Sequence, residues 1–276
     1  MPEGHTIHRL AADLSSAFAG RTPRVSSPQG RFAEGAALLD RHELVAADAW
    51  GKHLFVDFTG ERRLHVHLGL IGKFDVTPLG DGAAEPPVRG QVRLRLADDG
   101  HVADLRGPII CATRTPEEVA EVIARQGPDP LRPEADPDRA WVMIHRGRRS
   151  IAELLMDQKV LAGVGNVYRS EVLFRHQVGP MHPGTRIKRQ TWEAIWADLV
   201  RLMPLGVATG RILTEDRQVA TVEDQLARGV QPRPGRRRYY AYKRTGEECL
   251  RCGSTIRTAV VAGRNLFWCA NCQRRT

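Results

Sequence analysis

Four of the five cysteines fall near the C-terminus, in the order Cys249-x2-Cys252-x16-Cys269-x2-Cys272. Thiolates bind Zn²⁺ tetrahedrally, and two Cys-x-x-Cys pairs supply four ligands that a hairpin can bring together. The spacing predicts one structural zinc ion. A metal-pinned hairpin needs no large core and can hold one side chain toward a partner. Arg264, in the run Ala262-Gly263-Arg264-Asn265-Leu266 between the pairs, is the residue it would present. Two disulfides are the other pairing. They would leave Cys111 odd, and the absence of a secretory segment leads us to expect a reducing, cytoplasmic setting.

Pro2 directly follows Met1, and Glu3 follows Pro2. Removal of Met1 would expose a secondary amine at the chain terminus. A terminal α-amino group loses its proton far more readily than lysine does. A helix N-terminus just beyond it disfavours the protonated form further. Such an amine attacks an electrophilic carbon and yields an iminium, a strong electron sink. Glu3 could protonate a leaving or ring oxygen. Taken alone, the same residues read as an ordinary helix start.

Other residues carry weaker signals. Lys52 sits after Gly51 at a turn, where it could grip an anion or simply be solvated. Gly163-Val164-Gly165-Asn166 joins two segments of helical texture, with Asn166 placed to cap the second. Exposed N–H groups at such a helix start can bind phosphate. Leu68-Gly69-Leu70-Ile71-Gly72 puts apolar residues between glycines near a turn, either as a wedge for stacked bases or as buried strand. Tyr239, Tyr240 and Tyr242 lie in a run with Arg236–Arg238, Lys243 and Arg244, which suits strand packing before the hairpin, or nucleic acid. His5 and His8 lack a third partner and read as polar helix residues.

The elements that must position these groups are legible in texture. Ile7, Leu10, Ala11, Leu14 and Phe18 recur at helical spacing and predict a helix over 6–18. From about Val25 to Ala112 short β-like runs alternate with Gly and Pro, which predicts a sandwich or barrel. A short helix over 116–125 follows. Proline-rich residues 127–140 read as a linker, and helical texture runs from Trp141 to about Leu213. Residues 214–235 read as a mobile loop with a short helix. With 276 residues, 42% apolar and 26% charged, two domains and a sizeable core are affordable. The formal charge of +9, nearly all from arginine, points to a polyanionic partner. No apolar run is long enough to span a bilayer, and no long basic amphipathic helix suggests a membrane surface.

Taken together and in order, Met1-Pro2-Glu3-Gly4, Gly51-Lys52, His67-Leu68-Gly69-Leu70, Asp129-Pro130-Leu131, Leu161-Ala162-Gly163-Val164-Gly165-Asn166 and the Cys249–Cys272 finger with Gly263-Arg264 resemble the formamidopyrimidine-DNA glycosylase and endonuclease VIII family. The match covers essentially the whole chain and is most similar to the actinobacterial endonuclease VIII-like branch. The resemblance implies an α+β multidomain fold: an N-terminal helix plus β-sandwich (1–126), a linker (127–140), a helix–two-turn–helix domain with a mobile loop (141–235) and a C-terminal β-hairpin zinc finger (236–276). It implies a bifunctional DNA glycosylase and abasic-site lyase acting as a monomer on damaged DNA, duplex or partly single-stranded, in the nucleoid. Pro2 would be the nucleophile and Glu3 the acid. Lys52, counted with the catalytic set, would grip phosphates with Asn166 and Arg264. Leu70 would fill the vacated stack, and His67 and Lys159 would join the DNA-contacting surface. Gly4-His5-Thr6 and Arg106-Gly107-Pro108-Ile109 depart from the formamidopyrimidine pattern, which leads us to expect oxidised pyrimidines in preference to 8-oxoguanine. The rival readings are a non-catalytic zinc-finger protein recognising DNA structure and a zinc-ribbon RNA-binding protein.

Overall fold

The computed structural model divides the chain into two compact units, Met1–Arg125 and Gln126–Thr276. Residues 2–80, 82–274 and 276 are described. Met1, whose removal the reading of Pro2 requires, lies outside them.

In the first unit helix α1 (Gly4–Phe18) starts two residues earlier than its apolar spacing alone defines, with Glu3 as N-cap. Ile7, Leu10, Ala11, Leu14 and Phe18 are its buried stripe. Eight strands follow: β1 (Arg24–Ser26), β2 (Leu44–Trp50), β3 (His53–Phe58), β4 (Arg62–His67), β5 (Lys73–Pro78), β6 (Val92–Ala97), β7 (His101–Arg106) and β8 (Ile110–Arg114). A short helix, α2 (Ala33–Leu39), interrupts the β-like texture, and α3 (Pro116–Ala124) closes the unit behind a Thr115 capping box. The strands make two antiparallel sheets, in the orders β1-β6-β7-β5 and β2-β3-β4-β8. Leu54, Val56, Leu64 and Val66 of one sheet share a core with Leu94, Leu96, Ala103 and Leu105 of the other and with the α1 stripe. Of the two sequence options, sandwich or barrel, the sandwich is realised. Ser15 fixes α1 to β2: the Ala47 N–H donates to its hydroxyl at 2.8 Å and the hydroxyl donates to the Ala47 carbonyl at 3.2 Å.

The other face of β3 and β4 carries imidazoles. Alternation along each strand puts His53 and Phe55, and His65 and His67, opposite the core residues. Cross-strand register pairs His53 with His67 and Phe55 with His65. His53 Nδ1 lies 2.9 Å from His65 Nε2, the His53 ring meets the His67 ring edge-on at 4.8 Å, and Phe55 stacks on His65 at 4.9 Å. Burial lowers all three imidazole pKa values, with further lowering by neighbouring positive charge. That of His53 falls to about 3, and that of His65 to about 4.

The second unit contains α4 (Pro137–Arg146), α5 (Ile151–Leu154), α6 (Asn166–Arg175), a 3-10 turn (Gly184–Arg186), α7 (Arg189–Thr209), α8 (Asp216–Ala227), and the hairpin β9 (Ile256–Val261) and β10 (Arg264–Cys269). Tyr168, Trp192, Leu199 and Leu202 are at the centre of its core. Helical texture overstated two longer stretches: 176–188, which is turns around the 3-10 turn, and 155–165. Residues 155–165 are turns, because Gln158 cross-braces them: its amide donates to the carbonyls of Met156 and Val164 at 2.9 Å and accepts from Gly163 N–H at 3.0 Å. The proline-rich stretch packs tightly at its start. Gly127 N–H donates to the Gln158 carbonyl at 2.8 Å, and a Cβ there would lie 2.4 Å from the Val160 backbone. The 214–235 stretch is helical over α8, where the Glu215 carboxylate caps Gln218 N–H. Tyr239–Tyr242 form no strand, which corrects the strand expectation. A buried carboxylate holds them instead: Glu171 accepts the N–H groups of Tyr240, Ala241 and Tyr242 at 2.8–2.9 Å and the Thr214 hydroxyl at 2.6 Å. No helix among the described residues is long and apolar enough to cross a membrane.

The imidazole row sets a pH dependence. In the unfolded chain each histidine takes up a proton near the ordinary imidazole value of 6.5, whereas folded His53 and His65 do so only near 3 and 4. Between those limits the unfolded state binds more protons, so stability rises with pH and is lost on acidification. Lys52, His67 and Arg114 are the positive or titratable groups acting on the pair. Urea midpoints measured from pH 7 to 4 should fall less steeply for His65→Gln than for the unsubstituted protein. Parallel profiles would contradict a neutral buried pair.

Candidate nucleic-acid interface and metal centre

Pro2 is half-buried just ahead of Glu3, whose side chain is fully buried at the start of α1. The two elements that position this terminus are α1 itself and the β2–β3 pair it packs against. Those strands also carry Lys52. Trp50 pairs directly with His53, so Gly51-Lys52 is a two-residue hairpin loop. Gly51 has φ +59° while Lys52 keeps an ordinary negative φ, the pattern of a II′ turn with glycine first. Lys52 is half-buried at the tip, and its charge depresses the basicity of His53 and His67.

His67 is oriented by the next turn. Gly69 N–H donates to His67 Nδ1 at 3.0 Å. That nitrogen therefore carries a lone pair, and in the neutral ring the proton sits on Nε2. The same turn exposes Leu70 (48%) and Ile71 (84%), and Ile109 (69%) stands beside it. A Cβ on Gly69, at φ +69°, would lie 2.8 Å from Ile109 Cγ2, so the two turns touch only because residue 69 is glycine. Leu70 is thus exposed, not buried strand, and Ile71 and Ile109 flank it. Arg106 is held within the unit, donating to Asp104 at 2.7 Å and to the Arg89 carbonyl at 3.1 Å.

In the second unit the sequence reading of Asn166 needs correction. Gly165 is the N-cap of α6, and Asn166 is its first residue. Its side chain does not cap its helix. Oδ1 accepts from Arg169 Nε at 3.1 Å and Nη2 at 2.5 Å, while Nδ2 donates to the Asn265 carbonyl at 2.9 Å. Arg169 also donates to the Ala152 carbonyl at 3.2 Å, which ties α5 to α6. Asn166 therefore meets the zinc hairpin one residue from Arg264. Arg264 opens β10 after a two-residue turn in which Ala262 (φ +50°) and Gly263 (φ +69°) are both left-handed. This is the I′ geometry that matches the twist of a hairpin. Arg264 is half-buried there, and Lys159 is exposed in the turns before α6.

The four cysteine sulfurs lie within 4.8 Å of one another, with Cys249–Cys272 at 3.8 Å and Cys252–Cys269 at 3.5 Å. A disulfide needs about 2.05 Å, so disulfide pairing is excluded. Zn–S bonds of about 2.3 Å in a tetrahedron place sulfurs about 3.8 Å apart. The donor set and its spacing fit one structural zinc. Among the described residues no other group of three metal-ligating side chains converges this way.

Sequence reading missed several groups. Glu171 precedes the apolar run Val172-Leu173-Phe174, and its carboxylate is the buried acceptor of the 240–242 loop. Arg169, fully buried, orients Asn166. His53 and His65 fall within the short β-like runs, and no single-strand pattern shows that they meet.

Three family models match successive segments. They are the formamidopyrimidine-DNA glycosylase N-terminal domain over residues 1–108, its H2TH domain over 126–218, and the zinc finger found in FPG and IleRS over 246–275. Endonuclease 8 1 of Mycobacterium tuberculosis is 48% identical over 274 residues, covering 99% of this chain and 100% of that protein. A probable endonuclease 8 2 of Streptomyces coelicolor is 31% identical, covering 99% of this chain and 94% of its own length. In fold, the Lactococcus lactis Fpg solved in complex with DNA containing an abasic site superposes with a TM-score of 0.79 at 19% identity, covering 99% of this chain and 100% of that one. Identity at that level over the full length, with each unit matched by its own model, means that the chain belongs to the formamidopyrimidine-DNA glycosylase and endonuclease VIII family.

Proposed function

We propose that this protein removes oxidised pyrimidines from damaged DNA and cleaves the resulting abasic site, with Pro2 as nucleophile. The enzyme class follows from family membership: a bifunctional DNA glycosylase and abasic-site lyase of base excision repair. The residue roles and the lesion class are the proposal. The observation that carries it is Pro2 set directly against a fully buried Glu3 at the start of α1.

With Met1 removed, the Pro2 amine attacks C1′ and the bond from C1′ to the base breaks. Glu3 delivers a proton to O4′ as the ring opens, leaving an iminium between Pro2 and C1′. The iminium acidifies the C2′ proton. Its loss breaks the C3′–O3′ bond, and a second elimination breaks C5′–O5′. Water then hydrolyses the iminium and restores the amine. Such chemistry requires the nucleotide outside the stack, at a cost of a few kcal/mol. Lys52, His67, Asn166, Arg264 and Lys159 hold the backbone, and Leu70 fills the gap with Ile71 and Ile109 beside it. The buried Asn166 side chain is engaged at both ends, so its role is to set the hairpin that carries Arg264 and to offer the α6 start to phosphate. Arg106 is engaged with acidic and carbonyl oxygens of its own unit, which fits weak reading of the opposite base. The protein acts as a monomer on nucleoid DNA. Zinc, bound by Cys249, Cys252, Cys269 and Cys272, holds the hairpin and takes no part in the chemistry.

Two substitutions test this division of labour. Glu3→Gln should lower release of an oxidised pyrimidine by about 100-fold or more, the usual contribution of a positioned acid. It should largely spare cleavage at preformed abasic sites, whose sugar is already in equilibrium with the open aldehyde. Incision assays on matched oligonucleotides read both, and unchanged base release would remove Glu3 from the mechanism. Arg264→Ala should weaken binding to a duplex with an abasic-site analogue about tenfold, as loss of a hydrogen bond to a charged group does. Its zinc content should be unchanged. Equal affinity would take Arg264 off the interface.

A further inference from the structure

We propose that His53 is a second neutral imidazole donor to the DNA phosphate gripped at Lys52, and that His65 behind it is the positioning residue that fixes its tautomer. The inference rests on the phosphate role given above to Lys52 and His67.

The geometry decides where the protons are. His65 Nδ1 is buried with no hydrogen-bond partner among the described residues. A buried lone pair without a donor costs less than a buried N–H without an acceptor. The His65 proton therefore belongs on Nε2, the atom 2.9 Å from His53 Nδ1. His53 Nδ1 then accepts, and its own proton sits on Nε2. Gly69 imposes the same tautomer on His67. His53 and His67 are cross-strand partners with ring centroids 4.8 Å apart, both half-buried, and neither Nε2 is enclosed without a partner. His53 directly follows Lys52 out of the hairpin turn. One ammonium and two fixed Nε2–H donors thus sit at one end of the β3–β4 pair. A phosphate has several acceptor oxygens, and such an array serves it without crowding three positive charges together. Burial keeps the imidazoles uncharged at neutral pH, which is what makes the close spacing tolerable.

Neutral and charged contacts differ in their salt dependence. Each cation lost at a phosphate lowers the slope of log affinity against log salt by about one, whereas a neutral donor leaves it unchanged. The probe is a duplex with a tetrahydrofuran abasic-site analogue, titrated at several salt concentrations. His53→Phe should bind about tenfold more weakly at every salt concentration with the slope preserved. His65→Phe should lose most of the same affinity, and the double variant should bind no worse than His53→Phe alone. His65→Gln, whose side-chain amide can donate in place of Nε2, should recover binding. Nitrogen-15 NMR of the imidazoles in the unsubstituted protein reads the tautomers directly, free of any folding defect, and should find His53 and His67 protonated at Nε2. A His53 proton on Nδ1, or unaltered binding by folded, zinc-replete His53→Phe, overturns the proposal. Lys52→Ala separates the layers. If it leaves affinity and slope untouched, the phosphate reading itself fails. If it lowers both while the histidine variants bind normally, only this inference falls.

Discussion

The second unit depends on three buried polar residues of α6, which face different neighbours. Asn166, Arg169 and Glu171 are nearly or fully enclosed, and burying ionised groups is tolerated only when their donors and acceptors are used. Here they are used: Asn166 bonds strand β10, Arg169 bonds α5, and Glu171 bonds a segment that has no strand or helix of its own. The Glu171 carboxylate accepts three backbone N–H groups and a hydroxyl, so it replaces the missing ladder for residues 240–242. Arg169 turns Asn166, and Asn166 holds the carbonyl of Asn265. Removing any one group would leave a buried partner unmatched, at about 1–3 kcal/mol for each. Asn166, held by Arg169, therefore couples the H2TH turns to the zinc hairpin, and Arg264 inherits its position from both. Two further contacts reinforce the same joint: Phe174 stacks on Tyr240 at 5.0 Å, and the Arg251 guanidinium lies 5.0 Å from the Phe174 ring centre.

The first unit solves a different problem. In the mechanism proposed above, it must hold a reactive terminus and a cationic grip on separate elements without blurring either. Ser15 bolts α1 to β2, and the two-residue turn at Gly51-Lys52 leaves Lys52 little freedom to wander. A loop of arbitrary length would deliver the same charge with far more entropy to lose on binding. On the inference drawn above, the adjacent neutral histidines would extend that grip without raising the local repulsion.

What could be read from the sequence was what repeats or has fixed chemistry. The α1 stripe, the short β-like runs before Ala112, and the cysteine spacing each follow from local geometry, and all appear in the structure. What escaped depended on distant partners. Asn166 has the residue type of a cap, but the buried Arg169 and the hairpin carbonyl nearly a hundred positions on outbid the helix for its side chain. Residues 155–165 have helical composition, yet Gln158 and Gly163 close turns that only the tertiary packing rewards. Tyr239–Tyr242 alternate like a strand, but they have no neighbouring strand and bond to Glu171 instead. The His53–His65 contact joins two strands whose register no pattern within either strand reveals.

The reactive centre is the claim on which the chemistry stands, and one measurement addresses it directly. The enzyme, with its mature N-terminus verified by mass, is mixed with an oligonucleotide bearing one abasic site in the presence of borohydride, digested, and mapped. Reduction of the iminium should leave a covalent sugar adduct on the peptide beginning at Pro2. Efficient strand cleavage by protein that keeps Met1, or an adduct carried by a lysine such as Lys52 and absent from Pro2, would contradict the account.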